Sequence, residues 1–362
     1  MKNRLWNQFL MDATRWNKVI WISLIGAMLC TLDGCKPPHH VRVDSAFYYW
    51  RTTYAPSPLE LSYISRLKVQ VLYIRFFDVD WDNATRQPIP VSPVSVSDGA
   101  EMPAQIVPTI FITNRTIEHL SDNSSDTLGA RILRQIDEIA THQFRSSSVS
   151  ELQFDCDWTE TTRDRYFRLI STVRHLLGNR QIRLSVTIRL HQIKYRELTG
   201  VPPVDRGVLM FYNMGKIDDR KTVNSILDFT AADKYLSRLD TYPMHLDVAL
   251  PLYSWGVLTR QGQIIDLLNN VTASDFADSK TFISKGTDIR VVRGTYFNYR
   301  QLFPDDHIRL EGVAQKDIER AARLLAPHLH DSACTVIYYH LDQHIVQRFT
   351  YEDIQTVNAL FY

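Results

Sequence analysis

Residues Phe154–Trp158 read FDCDW, and Phe77–Trp81 read FDVDW. Two acids separated by one residue can share a strand face, roughly 6–7 Å apart, because side chains alternate with a period of two. Three chemistries suit the pair Asp155 and Asp157. In the first, one acid keeps a proton near neutral pH because burial and its neighbour's charge raise its pKa. Asp157 is then the proton donor, Asp155 its electrostatic partner, and Asp342 a further acid from across the site. In the second, Arg75 and Arg189 pair with the two acids and leave inert ion pairs. In the third, Asp155 and Asp157 join His191 or His340 around a metal ion. The residues leave all three open, and no motif requires a metal or another cofactor.

The strands that must carry these acids decide where they point. In ELQFDCDW, Leu152, Phe154, Cys156 and Trp158 form an apolar row suited to packing under helices. Gln153, Asp155 and Asp157 form the opposite row. In VQVLYIRFFDVDW, Leu72, Ile74 and Phe76 form the outer row, leaving Tyr73 and Arg75 inside. Asp78 and Asp80 then share the outer parity unless a bulge intervenes, and are expected to be turn or helix-cap acids. On this reading the two motifs are not equivalent, and the one at 155–157 is the better site.

Short β-rich runs recur at 47–52, 69–77, 106–113, 151–158, 182–190, 207–213, 246–253 and 334–340. Helical patterns lie between them. Leu128, Ile132, Ile136 and Ile139 share one helical face, and Phe167, Ile170, Val173 and Leu177 another. Thr350 and Asp353 stand in capping-box spacing. Eight strands alternating with helices predict a (β/α)8 TIM barrel spanning 46–362. A doubly wound sheet would carry a Gly-rich turn after its first strand, and none is present. The 80 residues between Tyr253 and Cys334 predict a small α+β insertion between strands 7 and 8, at about 256–312.

Alternation along the other strands fills the C-terminal rim, where barrel enzymes build their sites. It places Ser185, Thr187, Arg189 and His191 inside, with Met210, Tyr212 and Asn213 beside them. Tyr253 and Trp255 follow, then Tyr338, His340 and Asp342, with Trp50 or Arg51 from the first strand. Aromatic platforms beside hydrogen-bonding groups suit sugar rings, which have apolar faces and hydroxyl edges.

At these residues the chain resembles the glycoside hydrolase family 18 superfamily, the chitinase-like barrels. The family's fourth strand reads D-x-x-D-x-D-x-E, and here the window is LQFDCDWT, Leu152 to Thr159. Asp155 and Asp157 match the second and third acids. Met210, Phe211, Tyr212 and Asn213 match the sixth-strand Met-x-Tyr-Asp/Asn, and LPLYSW at 250–255 resembles the seventh-strand Pro-x-Tyr turn. The resemblance implies a site for an amino-sugar-containing glycan, with Tyr212 and Asn213 holding the N-acetyl group. It also implies substrate-assisted hydrolysis, in which the closing Glu protonates the leaving oxygen. Here Thr159 occupies that position and Leu152 replaces the first acid. The chain therefore looks more like envelope relatives that keep the Asp pair and lack the Glu. It is expected to bind or hydrolyse such a glycan, or to serve as a non-catalytic carbohydrate-binding or assembly protein using the same cleft.

The N-terminus addresses location. Residues 1–18 hold four basic residues against one acid, and the uncharged run Val19–Leu32 follows. That run suits the h-region of a secretory signal better than a membrane span. LDGC at 32–35 resembles a bacterial lipoprotein processing site. This reading makes 1–34 a signal peptide, Cys35 the lipidated residue that anchors the chain to a membrane, and 35–45 a tether. The protein is then a cell-envelope lipoprotein facing the periplasm or cell exterior. An uncleaved membrane anchor is the alternative. Without residues 1–34 the chain has 37 basic against 38 acidic residues, which offers nothing to nucleic acid. Cys156 and Cys334 read as buried thiols rather than a disulfide.

Overall fold

The computed structural model describes residues 42–121, 124–219, 221–329 and 331–361. The predicted signal segment, Cys35 and the start of the tether lie outside them. Among the described residues no helix is long and apolar enough to cross a membrane.

Eight strands form the centre: β1 Arg42–Tyr49, β2 Val71–Asp82, β3 Gln105–Ile112, β4 Glu151–Asp155, β5 Arg183–Arg189, β6 Arg206–Met210, β7 Leu246–Pro251 and β8 Ala333–Tyr339. Each pairs in parallel with the next, and β8 pairs with β1. The sheet is therefore a closed (β/α)8 barrel, as its strand and helix alternation predicts.

The outer rows pack as the alternation requires. Leu152 and Phe154 are buried beneath the helical layer, and Trp158 stacks on Tyr166 at 5.2 Å. Helix Ser124–Gln143 buries Leu128, Ile132, Ile136 and Ile139; helix Arg163–Leu177 buries Tyr166, Leu169, Ile170, Val173 and Leu177. Thr350 and Asp353 close a reciprocal capping box on helix Tyr351–Ala359. Cys156 and Cys334 are buried free thiols.

The barrel interior is layered and polar at its N-terminal end. Glu151 accepts from Ser185 Oγ at 2.6 Å and from Arg206 at 2.5 Å, and Arg206 also pairs with Asp247 at 2.9 Å. Above them Tyr48 Oη donates to Gln153 Oε1 at 2.8 Å. These layers form the floor on which the C-terminal rim stands.

One irregularity re-aims side chains in β2. In β2 the register against β3 shifts between Arg75 and Phe77, so Phe76 is an extra residue. Phe77 then pairs with Ile110 on the outer row, and Asp78 pairs with Phe111 on the inner one. Strand β8 pairs without a register shift, and its inward row is the other of the two its sequence allows. Tyr338 Oη donates to Asn358 of the last helix at 2.7 Å, so it points outward, and Tyr339 points in. This corrects the predicted inward Tyr338. His340 and Asp342 lie beyond the strand end, where alternation no longer applies.

The insertion runs from Ser254 to Gly312. Strands Gln263–Asn269, Ser254–Arg260, His307–Gly312, Asp288–Val291 and Phe282–Lys285 form one sheet in that order. Its interior is its own cluster, including Leu258, Leu268, Phe276, Phe282, Ile289, Val291 and Ile308. The segment is antiparallel β with a single 3-10 turn at Ala273–Phe276, and the helix Gln315–Leu325 packs against β7 and the last helix instead.

Candidate functional site

A cavity of about 570 Å³ opens at the C-terminal rim. Four groups of side chains wall it: Trp50 and Arg51 after β1; Asp78, Phe111 and Asp155 from β2, β3 and β4; Arg189, Met210, Tyr212 and Asn213 from β5 and β6; and Tyr339, His340 and Asp342 from β8. The insertion and its entry supply Tyr253, Ser254, Trp255, Asn269 and Asn270.

Asp155 is the last residue of β4 and is almost fully buried. Its Oδ1 accepts from Thr187 Oγ1 at 2.5 Å and lies 3.4 Å from Arg189 Nη2. Burial pushes its carboxyl pKa up, against the opposing pull of Arg189 and Thr187. Asp157 is placed differently. Because β4 ends at Asp155, alternation does not carry to Asp157, whose side chain is 55% exposed and bonded to Arg189 Nε outside the cavity lining. The predicted common inward face of Asp155 and Asp157 therefore holds only for Asp155.

The bulge in β2 supplies the other acid. Asp78 and Asp155 are both in register with Phe111, one from each side, so the three form a row across adjacent strands. In each motif the first Asp lines the cavity and the second lies outside the lining, paired with an arginine: Asp80 with Arg115, Asp157 with Arg189. The two motifs are thus equivalent in placement, which corrects the expectation that they differ. Arg75 does not reach Asp155; it grips Asp78 bidentately, at 2.8 and 2.6 Å, from behind the cavity wall. Of the predicted ion pairs, those with Arg189 form, while Arg75 takes Asp78.

Arg189 ends β5 and is the central cation. Its guanidinium contacts Asp157, Asp155 and the Met210 sulfur with 18% of the side chain exposed. Burial opposes its charge, but Asp155 and Asp157 together hold it firmly protonated. His191 is exposed on the helix Leu190–Lys194 and does not line the cavity, because the chain leaves the strand at Arg189. Partial desolvation by the surrounding chain lowers the His191 pKa in spite of Asp157, although the side chain keeps contact with solvent. Among the described residues no group of three or more His, Cys, Asp or Glu side chains is arranged to hold a metal ion.

Aromatic rings make the floor and one side. Tyr339 lies 5.6 Å from both Tyr212 and Tyr253, and 5.8 Å from both Tyr48 and Trp50, centroid to centroid. Trp255 packs on Tyr253 at 5.3 Å, and its Nε1 donates to Glu311 Oε2 at 2.9 Å. Glu311 is itself fixed by the Ser225 amide at 2.8 Å and Arg309 Nε at 2.7 Å. Asn213, held at φ 55°, accepts the Tyr253 hydroxyl at 2.5 Å.

Several polar atoms in this lining have nothing to bond. Among the described residues, Tyr212 Oη, Ser254 Oγ, His340 Nδ1 and Arg51 Nε are buried and lack a hydrogen-bond partner. A buried polar atom left unpaired costs about 1–3 kcal/mol, so four around one cavity point to a polar ligand. Burial keeps Tyr212 and Tyr253 protonated and His340 uncharged at neutral pH. Asp342 caps the short helix Gln343–Val346 through the His344 amide and stands 3.9 Å from Arg51. Behind Arg51, fully buried Glu60 accepts from it at 2.7 Å and from the Ser57 and Gln343 amides at 2.8 and 2.7 Å.

Alternation did not identify Asp78, Phe111, Ser254, Tyr339, Asn269 or Asn270 as lining residues. The adjacent Phe76 and Phe77 signal the bulge that turns Asp78 inward. Asn269 and Asn270 reach the cavity only through the insertion's own pairing, in which Asn269 opposes Trp255.

No family sequence model matches the chain, and a comparison with curated proteins returns no match. Solved structures do match. The C-terminal domain of a chitinase-type protein from Desulfitobacterium hafniense aligns with TM-score 0.55 at 11% identity, covering 89% of this chain and 99% of that one. The Bacillus cereus spore cortex-lytic enzyme SleL gives 0.51 at 14% identity over 89% and 75%. A chitinase from Chromobacterium violaceum gives 0.51 at 9% identity over 87% and 99%. The chain therefore has a chitinase-like (β/α)8 barrel fold, and at these identities the likeness is one of fold.

Proposed function

We propose that this chain binds an amino-sugar-containing glycan in the rim cavity. The observation that carries the reading is the lining itself: six aromatic rings beside four buried, unpartnered polar atoms. A sugar ring offers an apolar face to Tyr339, Trp50 or Trp255, and its hydroxyls offer partners to Tyr212, Ser254 and His340. The solved structures of the same fold include chitinases and a cortex-lytic enzyme, which supports a glycan over other polar ligands of this size.

Binding is better supported than hydrolysis by the family's route. Thr159 stands where that route needs a carboxylic acid, and Asp157 is drawn out to Arg189. A second reading, hydrolysis with Asp155 as proton donor, draws on one observation: burial raises the Asp155 pKa within the cavity. The envelope lipoprotein assignment, with a lipid on Cys35 facing the periplasm or exterior, belongs to the same proposal and draws on the N-terminal sequence alone. Anchorage by a lipid would place the cleft among envelope glycans.

Calorimetric titration with N-acetylglucosamine oligomers, glucosamine oligomers and peptidoglycan fragments tests the reading. Saturable binding is expected, and Tyr339→Ala should weaken it by about tenfold or more, the usual loss for removing a stacking ring. Absence of binding to every member of the panel would refute it. Product analysis in the same mixtures separates binding from turnover, and Asp155→Asn should abolish any turnover found.

A further inference from the structure

We propose that the cavity takes a saccharide unit bearing a free, protonated amino group in preference to its N-acetylated counterpart. This specificity rests on the saccharide reading above and adds the charge of the ligand to it.

Charge around the cavity is unbalanced. Three cations stand in or just behind the wall, and each is already committed to a carboxylate. Arg75 grips Asp78 at 2.6 Å, Arg51 meets buried Glu60 at 2.7 Å, and Arg189 Nε takes Asp157. Two carboxylates remain, Asp155 and Asp342, and their nearest cations stand off at 3.4 and 3.9 Å. His340 cannot offset them, because burial keeps its ring neutral at physiological pH. In the wall and immediately around it, five acids thus face three cations; of these, Asp78, Asp155 and Asp342 line the cavity against Arg51 and Arg189, so the lining itself carries an excess of negative charge. Both surplus acids are buried residues that line the cavity.

The hydrogen-bonding inventory agrees. Asp155 Oδ1 is occupied by Thr187, while Oδ2 has no partner among the described residues. A carboxylate in this state is an acceptor, and an ammonium group supplies donors and opposite charge together. An N-acetyl group supplies one N–H and no charge. Burial, joined by the neighbouring charges of Asp157 and Asp78, raises the Asp155 pKa, and a cationic ligand would lower it again. The unpaired Tyr212 and Ser254 hydroxyls remain for the neutral edge of the ring.

The experiment compares the glucosamine tetramer with the N-acetylglucosamine tetramer by calorimetry on the purified protein. It is run at about pH 6, where an amine of α-amino basicity is protonated. The free-amine tetramer should bind about tenfold more tightly, the scale of one charge-assisted hydrogen bond. Its affinity should fall as salt rises, while that of the N-acetylated tetramer should hardly change. The affinity ratio should collapse towards one in Asp155→Asn, which keeps an acceptor for Thr187. Equal or tighter binding of the N-acetylated tetramer, or a preference insensitive to salt, overturns the proposal while leaving saccharide binding intact. Failure of both tetramers to bind removes the saccharide reading and this inference with it. The salt series uses the wild-type chain, so the test stands even if the variant folds poorly.

Discussion

Glu60 offers the sharpest test of how the rim is held. Its carboxylate is fully buried and accepts three hydrogen bonds: from Arg51 at 2.7 Å, the Ser57 amide at 2.8 Å and the Gln343 amide at 2.7 Å. It thereby ties the start of helix Pro58–Arg66 to the segment after β8 and fixes Arg51 against the cavity. Replacing it with Ala leaves two backbone donors unpaired and strands a guanidinium whose side chain is only 31% exposed. Breaking a buried ion pair from one side costs about 3–5 kcal/mol, and the partial hydration of Arg51 favours the lower end. Glu60→Gln keeps the shape and one acceptor but loses the charge, and should cost about 1–3 kcal/mol. Urea unfolding followed by tryptophan fluorescence and far-ultraviolet circular dichroism measures both, with the midpoint shift multiplied by the slope giving the loss. Ala must exceed Gln. A loss below about 1 kcal/mol for Ala, or equal losses for the two, would refute the view that this carboxylate holds the rim together.

Two further outcomes follow from the same geometry. Burial raises the Asp155 pKa in the folded chain, so the native state keeps a proton that the unfolded state releases between the ordinary aspartate value and the raised one. The stability linked to that proton is complete below the unfolded pKa and is lost as pH rises through the folded one. Asp155→Asn should therefore gain stability relative to wild type as pH rises through that window, and a pH-independent difference in urea midpoints would contradict it. At Gly207 in β6, an added methyl would meet Leu246 Cδ2 at 2.9 Å and press on Ile188. Gly207→Ala should cost about 1–3 kcal/mol through overpacking, measurable by thermal melt, and an unchanged melt would count against tight β5–β6–β7 packing.

The barrel itself was legible because apolar alternation and helical periodicity repeat many times, so a local error does not change the count of strands. The rim was less so, since alternation predicts direction only while a strand continues. It held for Gln153 and Asp155 and failed at Asp157, two residues past the last paired one. It failed again where Phe76 adds a residue to β2, which reverses the parity of Asp78. At β8 the apolar run VIYY offers two tyrosines of equal propensity, and only the contact of Tyr338 with Asn358 decides which faces outward. Glu60 was invisible in sequence because its partners, Arg51 and Gln343, come together only when the barrel closes.

The insertion's separate apolar interior has a consequence for how the protein can change. Leu258, Phe276, Phe282, Ile289 and Ile308 satisfy one another without help from the eight strands. Ser254, Asn269 and Asn270 can therefore be exchanged together with the insertion's sheet, provided the replacement restores the packing of Trp255 on Tyr253 and the grip of Glu311 on the Ser225 amide. Transplanting a related segment between Pro251 and Val313 should redraw one side of the binding pocket while leaving Asp78, Asp155 and Arg189 in their present company.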